Sequence, residues 1–582
     1  MIKLTTLFLL LLETYNLLGN NINKEYTLWY NRPAFNRGGD FTYPVARGYP
    51  YDEDWERWSL PIGNGSMGAC IFGRTDIERI QLSEKTLGNK GPYQFGGFTN
   101  FAEIYIDVNH NYSKNYKRTL NLNEAISTVN YQYENVEYTR EYFANYPSQI
   151  IAVKLKADKP GMISFTIRPT IPYLKPFDKE QNGRSGHVQV LPGLITMTGN
   201  IQYYDLDYEA QIKIVNYNGT LTCKNENKQN GIIEVTDADS VVLYITAATS
   251  YQLQENVFLR PNTAKFKGNV HPHSLITNRI KEAVGKGYEF LRKEHIVDYQ
   301  YFFNRVDLQL TDRIPAIPTD KLLSQYRSGK HDTYLEELFF QYGRYLLIAS
   351  SRNGSLPANL QGVWTQYDFS PWSGGYWHNI NIQMNYWHVF NTNLSELFNP
   401  YMEYNETFRK AGVQKAIDYI TRHNPTALNP INEENGWTIG TGATAFNIEA
   451  PGGHSGPGTG GFTTKLFWDY YDFTRDTQLL KEHVYPALLG ISKFLSKTLK
   501  EQPDGTLLVD PSFSPEQKHN KQYYRTKGCI FDQSMILETY QDLLKAAKIL
   551  NSRDPFLKTV KEQIGKLDAI KIGESGQIKE FR

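Results

Sequence analysis

Two hydrophobic rhythms divide the chain. From about Glu25 to Leu259 apolar residues often recur at every second position, as with Ile151, Val153 and Leu155 in IIAVKLKA and again in SVVLYITAATS, with Gly, Asn and Pro between the runs. Side chains two apart share one face of a strand, so this alternation predicts a large antiparallel β domain. A mixed, charged stretch from about His273 to Leu310 predicts helices that connect this domain to the next. The period then becomes helical, with Leu335, Leu338, Phe339, Tyr342, Leu346 and Ala349 on one stripe and Thr333 with Glu336 as a capping box. Further helices are expected near 383–396, 400–422, 462–475, 479–499, 531–549 and 554–567. Ile536, Tyr540, Leu543, Leu544 and Ala547 form the core face of the helix at 531–549. Between the helices run long loops rich in Gly, Pro and aromatics, at 353–380, 424–461 and 502–528. Loops that long in a compact helical domain are uncommon unless functional, which makes them the place to look for a site.

Length and composition narrow the class. A chain of 582 residues accommodates roughly two to four domains. The 62 basic and 61 acidic residues leave a formal net charge of +1, with no long block of like charge, so nothing advertises a nucleic-acid or phospholipid partner and a polar, uncharged ligand fits better. Aromatics make up 14% of the chain, and Tyr and Trp supply flat apolar faces with a hydrogen-bonding edge, as sugar sites need. Cys70, Cys223 and Cys529 lie far apart without metal-ligand or redox spacing, and no cofactor is expected. The opening MIKLTTLFLLLLE has the proportions of a secretory signal, assigned to residues 1–20, and predicts an exported protein, periplasmic or extracellular. No other apolar run reaches membrane length.

Two short stretches carry candidate chemistry. In GGYWHNINIQMNYW, residues 374–387, Asn379 and Asn381 stand one residue apart among Trp377, His378, Tyr386 and Trp387. In an extended segment two such side chains project to one side, whereas in a helix they point about 200° apart; the apolar spacing beyond them fits a helix that begins there. Paired amides at a helix entrance can hold a water or a sugar hydroxyl, or only satisfy orphan backbone groups, and both readings stay open. In DPSFSPEQ, residues 510–517, Pro515 biases Ser514 toward extended backbone and projects Glu516 from a braced turn. A loop glutamate is commonly just solvated, yet glycosidic cleavage requires a carboxylic acid to protonate the departing oxygen, and a pocket rim suits that role. Trp364, Trp372, Trp377 and Trp437 are each a stacking surface or core. PGGHSGPGTGG, 451–461, lacks the ending of a phosphate loop and is assigned as a flexible rim loop, with His454 lacking a spaced metal partner. Glu84 and Lys85 either help a β-domain loop reach the pocket or form a solvated pair.

LPIGNGSMGACIFG (60–73), IQLSEKTL (80–87), SLPANLQGVW (355–364), HNINIQMNYW (378–387), NLSELF (393–398), FWDYYDFTRD (467–476) and DPSFSPEQ together resemble successive signatures of glycoside hydrolase family 95, a family of inverting α-L-fucosidases and related α-L-galactosidases. The resemblance implies an N-terminal antiparallel β-sandwich domain over 25–265, a helical linker over 266–320 and an (α/α)6-barrel catalytic domain over 321–582. Position by position it makes Glu516 the general acid and Asn379 and Asn381 the amides that orient the attacking water; Trp377, Trp372 and Trp437, with His378, are the substrate-binding candidates beside them. Its substrate would be an oligosaccharide or polysaccharide, cleaved at a terminal residue; the oligomeric state is not legible.

Two departures bear on this. The family pattern continues past GESGQIKEFR into a histidine-rich segment, an aspartate that serves as catalytic base and a C-terminal β domain, and the predicted helices after the linker number seven against the twelve of such a barrel. The chain is therefore expected to be a C-terminally truncated form with an incomplete barrel and reduced turnover, the alternative being a non-catalytic glycan-binding remnant that lacks the base. A third possibility is a cell-surface adhesive role for the β domain. The second departure is His378, where many fucosidases of the family carry a small or apolar residue. It either hydrogen-bonds the additional 6-hydroxyl of L-galactose or braces the loop, which leaves L-fucose ahead and L-galactose close behind.

Overall fold

The computed structural model describes residues 24–35, 52–91, 94–176 and 183–581; the expected export signal at 1–20 lies outside them. The first half is built on two antiparallel sheets. Nine strands run in the order Thr27–Tyr30, Lys114–Asn121, Ile126–Tyr133, Val136–Asn145, Ile150–Ala157, Ser240–Thr249, Leu206–Tyr217, Leu194–Ile201 and Arg184–Leu191. Seven more run Thr220–Asn225, Gly231–Ala238, Ile163–Thr170, Ala102–Asp107, Ile77–Glu84, Met67–Ile71 and Leu60–Gly63. Ile151, Val153, Leu243 and Ile245 of the first sheet share one core with Ile80, Ile104, Ile106 and Ile167 of the second.

Some strands are buried on both faces. Ile150, Ala152, Val242 and Tyr244 point away from the sandwich core and pack under Ile280, Ala283, Tyr288 and Leu291. These belong to the helices His273–Lys286 and Tyr288–Phe303, joined at Gly287, whose φ of 76° is one that glycine adopts freely. The connecting helices thus form a third layer on the larger sheet. Inside the sandwich Arg79 is fully buried, with a bidentate pair to Glu103 at 2.8 and 3.0 Å and a further bond to Asp52 at 2.6 Å.

The helical domain holds Thr319–Arg327, Thr333–Ser350, Asn381–Tyr386, Asn399–His423, Gly458–Thr474, Tyr485–Ser496, Ile530–Ile549 and Phe556–Ile564. Three expectations need correction. The helix expected over 383–396 ends at Tyr386, and residues 387–394 form turns before a short 3₁₀ segment. The apolar stripe of the helix Thr333–Ser350 faces the core at Leu335, Leu338, Tyr342, Leu346 and Ala349 but not at Phe339, which is 77% exposed, and the buried face extends to Glu337, Gln341, Arg344 and Tyr345. These buried polar side chains are anchored by backbone groups: Arg344 donates from its two terminal nitrogens to the carbonyls of Phe302 and Phe303, Tyr345 donates to Pro61, and Glu337 accepts from the amide of Thr311, while Arg344 Nε has no partner among the described residues. Glycines 458, 460 and 461, expected in a loop, open the helix Gly458–Thr474. A Cβ at 460 would lie 2.3 Å from Ile491, and one at 461 would lie 2.6 Å from Thr539, so glycine permits the close approach of the neighbouring helices.

The cap of Thr333–Ser350 also shifts by one residue. Asp332 Oδ1 accepts from the amide of Leu335 at 3.2 Å, and Thr333 is already helical. Asp332→Ala should therefore cost about 1 kcal/mol, while Thr333→Ala should change little; thermal unfolding of the two variants side by side checks the assignment.

The two halves meet along a seam lined with glycine. Trp364 donates from Nε1 to the carbonyl of Ile62 at 2.8 Å, and a Cβ at Gly68 would stand 2.8 Å from that indole. Gln81 donates to the carbonyl of Thr365 at 2.6 Å, and the amide of Thr365 donates to Ser83 at 3.0 Å. Trp364 is therefore interface core. Glu84 and Lys85 are buried here too, Lys85 donating to the carbonyls of Ser350 and Leu356, so a solvated pair is excluded. Burial pushes the Glu84 carboxyl up and the Lys85 ammonium down.

Candidate functional site

The segment that carries the asparagines is fixed from both sides. The amides of Tyr376 and His378 donate to the carbonyls of Ala443 and Thr441 at 2.7 and 2.8 Å, which holds this stretch extended. Beyond His378 the chain turns, and Asn381 is the first residue of the helix Asn381–Tyr386, so the extended geometry expected across both amides stops one residue before them. Gln383 donates to the carbonyl of His378 at 2.6 Å and pins the turn.

The second segment follows the hairpin Leu499–Glu501 and Leu507–Val509. Ser512 and Thr526 exchange backbone hydrogen bonds, both at 2.9 Å, and the amide of Gln517 donates to the carbonyl of Ser514 at 2.9 Å. The resulting turn presents Glu516 with its side chain 49% exposed. Asn379 Nδ2 donates to Glu516 Oε1 at 3.0 Å, joining residues 137 positions apart. Among the described residues, the buried Oδ1 of Asn379 receives no hydrogen bond.

His454 Nδ1 lies 3.7 Å from Glu516 Oε1, and the hydroxyl of Tyr523 is 2.8 Å from that imidazole. The Trp377 ring stands 6.4 Å from His454 and donates from Nε1 to the carbonyl of Trp372 at 2.9 Å. Trp372 is 61% exposed, on left-handed backbone with φ 48°. Glu516, Asn379, Trp377 and His454 are thus neighbours, with Trp372 beside them. Trp437 is not among them: it is buried in the helical core against Phe408, donating to the carbonyl of Ala487 at 3.2 Å.

His378 is buried below the turn, 1% exposed, with Nδ1 3.0 Å from the Thr463 hydroxyl. That hydroxyl donates to the carbonyl of Thr459, so the imidazole carries its proton on Nδ1 and Nε2 is left as an acceptor, with no partner among the described residues. Burial holds its pKa down at about 3, against an ordinary 6.5. The unfolded chain therefore takes up this proton more readily than the folded one. The part of the stability that depends on neutral His378 is constant above pH 6.5 and falls as the pH drops from there toward 3. The fully buried His295, held at about 4, adds the same sign. As the pH falls from 6.5 to 4.5 the thermal midpoint of His378→Phe should therefore gain on that of the parent, the difference between the two read at each pH isolating this group from carboxyls such as Glu84, whose raised pKa acts in the opposite sense.

Sequence reasoning weighed His454 only as a metal ligand and passed over Tyr523. The available signal was a histidine beside a glycine cluster, but its partners lie 62 and 69 positions away. Among the described residues no group of three or more His, Cys, Asp or Glu is placed to hold a metal, and no helix is long and apolar enough to cross a membrane.

Comparison with known proteins adds a lineage to this geometry. A profile described as "Glycosyl hydrolase family 95 catalytic domain" matches residues 287–582, and one described as "Glycosyl hydrolase family 65, N-terminal domain" matches 28–94 and 88–254. "Alpha-L-fucosidase 2" of Arabidopsis thaliana is 28% identical over 630 positions, covering 94% of this chain and 71% of that protein. "Probable alpha-fucosidase A" of Aspergillus niger is 28% identical over 580 positions, covering 90% and 70%. Among solved structures, a human-microbiome protein assigned as a kojibiose phosphorylase superposes with a TM-score of 0.56 at 11% identity, covering 89% of this chain and 69% of the other. That likeness is one of fold: an antiparallel sheet domain followed by a helical domain.

Proposed function

Because the chain belongs to glycosyl hydrolase family 95, we propose that it is an exo-acting, inverting glycosidase that releases terminal α-L-fucose from glycans. The observation that carries this reading is the 3.0 Å contact between Asn379 and Glu516, two side chains from separate loops that meet on an aromatic rim. In the proposed reaction the protonated Glu516 gives its proton to the glycosidic oxygen as the bond from that oxygen to C1 breaks. A water held by Asn379 and Asn381 attacks C1 from the opposite face and loses a proton to a base, leaving the inverted sugar and the free alcohol. Their direct contact has to open when the sugar enters, since acid and water act on opposite faces of it. The Trp377 and Trp372 rings offer apolar surfaces to the sugar.

Two observations favour further readings. Among the described residues Nε2 of His378 is an acceptor without a donor, as the 6-hydroxyl of L-galactose would require, although the ring's burial and its bond to Thr463 favour a bracing role and L-fucose. Among the described residues Glu516 is the carboxylate that contacts Asn379, which suits a glycan-binding protein without a base. Release of 4-nitrophenol from the α-L-fucoside and the α-L-galactoside by the purified chain separates these. Faster release from the fucoside supports the proposal, faster release from the galactoside transfers the role to His378, and saturable sugar binding without release supports the binding protein.

A further inference from the structure

Asp532 is completely buried near the start of the helix Ile530–Ile549, and among the described residues no cation pairs with it. Its carboxylate is instead the meeting point of donors from three segments. Oδ1 accepts the amide of Gly458, the first residue of the helix Gly458–Thr474, at 2.7 Å. Oδ2 accepts the Ser512 hydroxyl at 2.5 Å and the Phe513 amide at 3.2 Å, with Cys529 Sγ at 3.5 Å. The space is shaped around it, since a Cβ on Gly456 would stand 2.0 Å from Oδ2. The first segment follows directly on His454 and the second leads into Glu516, and the amide of Gly456 donates to the carbonyl of Phe513 at 2.9 Å between them. A buried carboxylate with several donors is costly to disturb, because each donor it releases is left unpaired.

We propose that Asp532 is a positioning residue: by clamping the 510–517 loop to the first turn of the helix Gly458–Thr474, it fixes Glu516 against Asn379 and His454. The inference rests on the reading of Glu516 as the general acid, and its test keeps the two apart. A displaced acid slows substrates whose leaving group needs a proton and spares those whose leaving group does not, whereas general loss of structure slows both alike.

Asp532→Asn preserves shape but presents an amide to the Ser512 and Phe513 donors; Gly456→Ala keeps Asp532 and displaces its carboxylate. In each variant kcat for phenyl α-L-fucoside should fall roughly tenfold or more, while kcat for the 2,4-dinitrophenyl α-L-fucoside stays close to that of the parent. Adding Glu516→Gln to Asp532→Asn should slow the phenyl substrate no further than Glu516→Gln does alone. Equal slowing of both substrates, or no slowing of either, overturns the clamp. If Glu516→Gln itself shows no dependence on the leaving group, the acid assignment fails and the clamp's purpose with it. A crystal structure of either folded variant decides independently of turnover: the Asn379 to Glu516 separation should open beyond hydrogen-bonding distance, and its persistence at 3.0 Å rejects the proposal.

Discussion

Glu516→Gln is expected to lower kcat on an α-L-fucosylated oligosaccharide by about 10²–10⁴-fold with little change in KM. A sugar alcohol leaves as a strongly basic alkoxide unless a proton reaches the bridging oxygen as the bond breaks, and an amide of the same shape has no proton of suitable acidity to give. Binding should survive, because the replacement keeps the shape of the side chain and its capacity to hydrogen-bond, and in the free protein it still accepts the bond that Asn379 donates at 3.0 Å. The half-exposed, unstrained setting of Glu516 predicts a folded variant whose thermal midpoint matches the parent's. Unchanged turnover by that variant would remove Glu516 from the mechanism.

The largest loss of stability is expected from Arg79→Leu. Its guanidinium lies inside the sandwich between Glu103 and Asp52, both themselves buried. Removing the cation leaves two carboxylates without compensation in a dry interior, which costs about 3–5 kcal/mol and should lower the thermal midpoint of the β domain by roughly 10 °C. Removing Glu103 as well, with Arg79→Leu and Glu103→Leu together, should recover part of the loss, because a buried ion pair replaced as a unit is far less costly than one broken. Calorimetry on the single and double variants tests both statements. A midpoint unmoved by Arg79→Leu would mean that water reaches the pair in solution.

The β domain was legible because one-sided burial writes itself as alternation, as Ile163–Thr170 shows with every second residue inside. Alternation fails where both faces are covered, so Ile150 and Ala152 gave no hint that the connecting helices lie on them. The helix Thr333–Ser350 misled only in part: Phe339 of its apolar stripe stands outside, while Glu337, Gln341 and Arg344, whose burial hydrophobicity does not register, lie inside. Of the candidate site, Glu516 and the asparagines stood out because their flanking segments resemble a family. His454, Tyr523 and Asp532 did not, since each matters only through partners brought close by folding. Trp437 and Trp377 are indistinguishable as letters; one sits against the carbonyl of Ala487 in the core and the other on the rim.

The glycine-lined seam also governs the order in which the molecule can be completed. The slot at Gly63 and Gly68 is synthesised early, while the indole that fills it arrives much later, 302 positions separating Ile62 from Trp364. Contacts so distant in sequence reward the chain only after a long loop has closed, which places them late in folding. Asn379 follows that indole by a few turns of chain, and Glu516 comes later still. A nascent β domain therefore waits with one edge open, and the pairing of amide and acid is among the last contacts to form.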